Sequence, residues 1–115
     1  MMDVETAREQ LLALPAVEEG DHFGKLSYRV KGKIFATVEL ETKQMVLKLT
    51  VAQQQALDEN VALSPVEGRW GQLGWTYLEL SAVSPSCFTE LITIAWKNVT
   101  PKKLAKSLTS SENIR

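Results

Sequence analysis

The chain has 115 residues, 44% of them apolar and 23% charged, with a formal net charge of −1 and a pI near 5.8. These are ordinary globular values that exclude disordered and collagen-like chains, and the length supports one core and not two. A near-neutral balance also removes any global electrostatic case for nucleic acid, since binders usually carry a clear basic surplus.

Val4, Ala7, Leu11 and Leu14 recur at spacings of three and four, which predicts a first helix with Asp3 as N-cap and Pro15 as terminator. The acidic stretch Val17 to Asp21 reads as a linker that turns the chain. From Lys25 the period changes to two. Leu26, Tyr28 and Val30 alternate with Lys25, Ser27 and Arg29, as in a strand with one wet face. Ile34, Ala36, Val38 and Leu40 form the next apolar row. The two rows agree if Val30 faces Ile34, which implies a three-residue connection Lys31-Gly32-Lys33. A two-residue turn at Lys31-Gly32 would put Phe35 beside Tyr28 and leave the rows on opposite faces.

A third strand runs from Gln44 to Leu49. Thr50 and Gln53 form a capping box that opens a short helix through about Glu59. Asn60 to Gly74 reads as a loop holding a short strand near Ala62 to Val66. Trp75 to Leu80 is a strand apolar on both faces. Ser84-Pro85 caps a long amphipathic helix with Phe88, Leu91, Ile92, Ala95 and Val99 on one side. Thr100-Pro101 repeats that signal, so a final helix is expected to about Leu108, followed by a frayed tail over 109–115. The order α-βββ-α-β(β)-αα implies a single α+β domain over 1–108. It is a two-layer sandwich, an antiparallel sheet of four to five strands with helices on one face.

Catalytic chemistry is not visible. Cys87 lies near a helix N-terminus and His22 is the sole imidazole, but nothing in the sequence brings them together. There is no Gly-x-Ser-x-Gly elbow, and the glycines at 68, 71 and 74 precede a strand and match no phosphate loop. One Cys excludes an internal disulfide framework, and one His with one Cys makes no zinc site without several carboxylates. The expectation is a protein that is not an enzyme and holds no metal or cofactor. No apolar run is long enough to cross a membrane, and the N-terminus lacks the features of a signal peptide, so a cytoplasmic location is expected.

Charge is distributed unevenly. Lys25, Arg29, Lys31 and Lys33 fall within nine residues with no acid between them, and Lys97, Lys102, Lys103 and Lys106 form a second acid-free cluster. Lys102, Lys103 and Lys106 share a side of the final helix opposite Leu104 and Leu108. Such clusters supply the local positive field that an anion-binding surface needs, although lysines on exposed faces also serve solubility. Of three tryptophans, Trp75 and Trp96 are assigned to the core, and Trp70, beside Arg69, is the candidate for a loop contact.

The pattern Leu12-Ala-Leu-Pro-Ala-Val-Glu-Glu-Gly20, then Phe23-Gly24 and Tyr28 to Ala36, resembles the front half of MmcQ/YjbR-like proteins. The back half agrees through Ser64-Pro65, Gly74-Trp75, Leu78-Glu-Leu80, Ala95-Trp96-Lys97 and Val99 to Leu104. Val66-Glu67 departs from the aromatic or His that many relatives carry there, and sets an anion beside Arg69. The resemblance implies a CyaY-like fold similar to the double-wing DNA-binding domain of the phage transcription factor MotA. It implies no catalytic residue and no cofactor. Two functions are therefore in view. One is binding of double-stranded DNA, with phosphates held by the two basic clusters. The other is a protein-interaction module that takes a peptide, a partner or a second copy through a sheet edge or the Arg69/Trp70 loop.

Overall fold

The computed structural model describes residues 2–103. Six strands form one antiparallel sheet in the order β1-β2-β3-β4-β6-β5. They are β1 (Val17–His22), β2 (Lys25–Val30), β3 (Lys33–Glu39), β4 (Gln44–Lys48), β5 (Leu63–Pro65) and β6 (Trp75–Glu79). Helices α1 (Val4–Ala13), α2 (Val51–Ala56) and α4 (Pro85–Val99) lie on one face, and the single turn α3 (Arg69–Gln72) stands beside the other. The expected two-layer α+β architecture is what the chain adopts. The expected final helix is reached only at Lys102 and Lys103, and the rest of it, Lys106 and the tail lie outside the described residues.

The helices form where their caps dictate. Asp3 accepts from the Thr6 backbone N–H at 2.7 Å, which starts α1. Thr50 and Gln53 close a reciprocal capping box at α2, and Ser84 with Pro85 at the first helical position opens α4. The buried residues of α4, Phe88, Leu91, Ile92, Ala95 and Trp96, meet Leu11, Tyr28, Phe35, Val38, Met45, Leu47 and Leu78 in one continuous core. The Trp96 indole N–H donates to the Pro15 carbonyl at 2.9 Å, tying α4 to the end of α1.

Four expectations change. The stretch expected as an acidic linker is strand β1, a sheet edge paired only with β2, as Val17↔Val30 through His22↔Lys25. Its charge hid it, but the carboxylate of Glu19 accepts two bonds from Arg8 at 2.6 and 2.9 Å and one from the Tyr28 hydroxyl at 2.8 Å. The β2–β3 connection is the two-residue turn Lys31-Gly32, with Val30 opposite Lys33. A bulge leaves Phe35 without a partner, so Tyr28↔Ala36 and Leu26↔Val38 still pair core to core while Ile34 turns to the other face with Arg29. The loop before β6 contains α3. Trp75 is half-buried on the open face, because β6 carries Trp75 and Tyr77 outward and Thr76 and Leu78 inward.

Gly74 has a left-handed φ of 107°, and a Cβ there would stand 1.9 Å from the Leu49 carbonyl oxygen. Gly32 also has a positive φ but meets nothing within 4 Å. Gly74→Ala therefore destabilises by more than about 2 kcal/mol and Gly32→Ala by about 1 kcal/mol, measured by urea unfolding. The Arg8 guanidinium, helped by the Tyr28 hydroxyl, holds the Glu19 carboxyl below its ordinary range. A depressed carboxylate stabilises above its ordinary pKa, and that contribution vanishes as pH falls through the folded value. The stability advantage of the native chain over Glu19→Gln is thus expected at neutral pH and shrinks below about pH 4.

Candidate functional site

Strand pairing gives the sheet two ends. The Lys31-Gly32 turn, Val17, Lys48, Trp75 and Pro65 share the upper end, and the Phe23-Gly24 turn, Glu39, Gln44 and Glu79 share the lower. Helix α4 begins at the lower end and finishes at the upper, where Asn98 donates to the Lys48 carbonyl and to Gln53, both at 2.8 Å. The two basic clusters thus come partly together. Lys31 and Lys33 are exposed at the hairpin tip, Lys97 is exposed in the last turn of α4, and Lys102 and Lys103 follow it. Lys106 lies outside the described residues.

Lys25 stands apart, at the lower end, 3.8 Å from Glu39. Arg29 lies between, on the open face, and its guanidinium donates to Ser27 Oγ at 3.3 Å and to the Asp21 carbonyl at 3.5 Å. Acids gather at the lower end: Asp21, Glu39 and Glu79 on the strands and Glu41 in the β3–β4 turn, with Asp3 beside them where the Met2 N–H reaches the Leu80 carbonyl. Lys43, in the same turn, stands near Asp3. The upper end carries Glu18, opposite Arg29, and Glu67. Among the described residues Glu67 makes no ion pair with Arg69. Its carboxylate accepts from the Tyr77 hydroxyl at 2.7 Å, which lowers the carboxyl pKa and raises that of the phenol.

The open face of the sheet holds a groove of about 490 Å³. Ile34, Thr37 and Val46 form its floor, Trp70 and Trp75 one wall, Gly32 its upper margin, and His22 and Lys25 its lower. Trp70 is 62% exposed on α3, and its ring meets Trp75 edge-on with centroids 6.1 Å apart. The Lys48 ammonium sits 5.1 Å over the Trp75 ring and donates to the Leu73 carbonyl at 3.1 Å. Arg69 is exposed next to Trp70. Gly71 lets α3 lie against the chain, since a Cβ there would overlap the Val66 carbonyl oxygen at 1.8 Å.

Sequence reasoning found Trp70 and missed the groove. The available signal was the all-apolar run Met45-Val46-Leu47, in which Val46 had to face away from the core. Cys87 is half-buried at the start of α4, accepts a weak bond from the Asn60 side chain at 3.4 Å, and lies at the opposite end of the sheet from the groove's tryptophans. Among the described residues no group of three His, Cys, Asp or Glu could hold a metal ion, and no helix is long and apolar enough to cross a membrane.

The three tryptophans differ in access: Trp96 is fully buried, Trp75 half-buried and Trp70 open. Iodide should therefore quench a component of the fluorescence that Trp70→Phe removes, leaving a Trp96 component that iodide does not reach. Quenching unchanged by Trp70→Phe would contradict this placement.

No curated protein sequence matches the chain. The model of the YjbR family matches residues 12–98, a span from the end of α1 to the last turn of α4 that includes all six strands. The chain belongs to the YjbR family.

Proposed function

We propose that the protein is a non-enzymatic DNA-binding protein whose phosphate contacts come from the upper end of the sheet. The observation that carries this reading is an uneven spread of charge along the strands: Lys31, Lys33 and Lys97 are exposed at one end against Glu18 and Glu67, while five acids share the other end with Lys25 and Lys43. A phosphate backbone meeting the upper end finds lysine ammonium groups on two elements, the β2–β3 hairpin and the end of α4. Lys48, Arg69, Lys102 and Lys103 extend the surface. Contacts of this kind position a duplex without reading its sequence, so the binding is sequence-tolerant. The resemblance to a double-wing DNA-binding domain points the same way. Lys25, beside Glu39 at the lower end, takes no part.

A labelled mixed-sequence duplex titrated at about 20 and about 200 mM salt tests this by fluorescence anisotropy. Four phosphate contacts give a log–log salt slope of roughly −3 to −4. Lys31→Glu combined with Lys33→Glu lowers affinity at least about tenfold, while Lys25→Glu leaves it unchanged. No binding at low salt, or equal losses from both variants, would overturn the reading. Salt-resistant capture of a peptide or protein that depends on Trp70, with the lysines indifferent, would favour an interaction module, for which Trp70 and Leu73, exposed on one short segment, are the supporting observation.

A further inference from the structure

We infer that the groove on the open face takes an unpaired base, so that the protein prefers single-stranded nucleic acid to duplex. This rests on the nucleic-acid reading above and specifies its substrate.

Three features of the groove define its occupant. The first is a flat aromatic surface. Trp70 touches Trp75 through an edge contact at an interplanar angle of 74°, which leaves the larger part of an indole that is 62% exposed available for stacking. A floor of Ile34, Thr37 and Val46 offers a planar group apolar contact and few competing hydrogen bonds.

The second feature is positive charge at the margin that is not held in ion pairs. Arg29 stands across the ladder from Ile34, and its guanidinium donates to a hydroxyl and a carbonyl, both neutral. Lys48 stands across the ladder from Trp75, and its ammonium rests on the Leu73 carbonyl and the indole face. Among the described residues neither cation makes an ion pair. Of the acids on the same face, Glu39 lies near Lys25, Glu79 accepts from the Gln44 amide at 2.7 Å and Glu67 accepts from the Tyr77 hydroxyl. Glu18 is the cross-strand neighbour of Arg29 and makes no ion pair with it.

The third feature is continuity. The groove reaches Gly32, so it opens between Lys31 and Lys33 onto the lysine-bearing upper end. An occupant is therefore flat and weakly polar where it meets Trp70 and anionic where it passes Arg29, Lys48 and the hairpin tip. A nucleobase with its flanking phosphates has this chemistry. In a duplex the base faces are stacked on one another, and presenting one to Trp70 costs a few kcal/mol of unstacking and unpairing; a single strand presents it at little cost.

An oligothymidylate of about twelve nucleotides and a mixed-sequence duplex of equal length are the probes, followed by tryptophan fluorescence and anisotropy on the full chain at low salt. The single strand is expected to quench tryptophan emission and to bind at least about tenfold more tightly than the duplex. Trp70→Ala should weaken single-strand binding at least about fivefold, Trp70→Phe should restore most of it, and both variants should leave duplex binding unchanged. The exposed position of Trp70 keeps these variants folded, which far-ultraviolet circular dichroism checks. Equal or tighter binding of the duplex, or single-strand binding indifferent to Trp70→Ala, would overturn the inference while salt-sensitive duplex binding left the proposed function standing. Absence of binding to both probes would remove both.

Discussion

Across the β2–β3 ladder Arg29 faces Ile34 and Tyr28 faces Ala36, and Phe35 between them has no partner. That extra residue reconciles two demands that a regular hairpin could not satisfy together. The Lys31-Gly32 turn, with φ values of 50° and 83°, has the left-handed pair of residues that suits the twist of a tight hairpin. Continued without a bulge, its register would set Tyr28 against Phe35 and turn the remaining apolar row of β3 to solvent. With the bulge, Phe35, Ala36 and Val38 all enter the core, and Thr37 joins Ile34, which the turn already sets opposite Arg29, on the open face. A bulge also bends its strand and sharpens the local twist. The same extra residue thus completes the core and sets Thr37 beside Ile34 on the groove floor.

Much of the fold could be read from the chain because its signals were local. The N-caps, the one capping box and the Pro at the start of α4 act within one turn, and the stripe Phe88-Leu91-Ile92-Ala95 needs only helical periodicity. Strand β1 was not legible, since Val17-Glu-Glu-Gly-Asp-His carries charges on both faces. Only the tertiary partners of Glu19, one on α1 and one on β2, make that composition compatible with a sheet. Such a charged edge also discourages pairing with other chains. Trp75 was misplaced because a strand apolar on both sides does not say which side is the core. The groove was beyond reach for a related reason: it joins residues from β3, β4, β6 and α3, and their meeting is set by strand order. Strand order also decides which lysines are neighbours. It divides Lys25 from Lys31, six positions apart, and brings Lys97 to the end that holds the hairpin tip.

A net charge of −1 is consistent with strong local fields when the charges are sorted. Six-residue strands extend about 20 Å, roughly twice the screening length of physiological salt. The acids of the lower end therefore do little to cancel the potential at the upper end. They also confine the positive region to one margin of the molecule. An anion approaching in solution is oriented before it makes contact, and the groove margin with Arg29 and Lys48 lies along its path.

The bond from Trp96 to the Pro15 carbonyl joins residues 81 positions apart, and Thr89 with Gln10 makes a second link of nearly the same span. Helix α1 has local help from β1 through Arg8 and Glu19, and longer-range help from Leu80, which accepts from the Met2 N–H, and from α4. Contacts so distant in sequence form late, because a long loop must close before they contribute. During synthesis α1 leaves the ribosome before α4, so the links from Trp96 and Thr89 close only once α4 has followed it out.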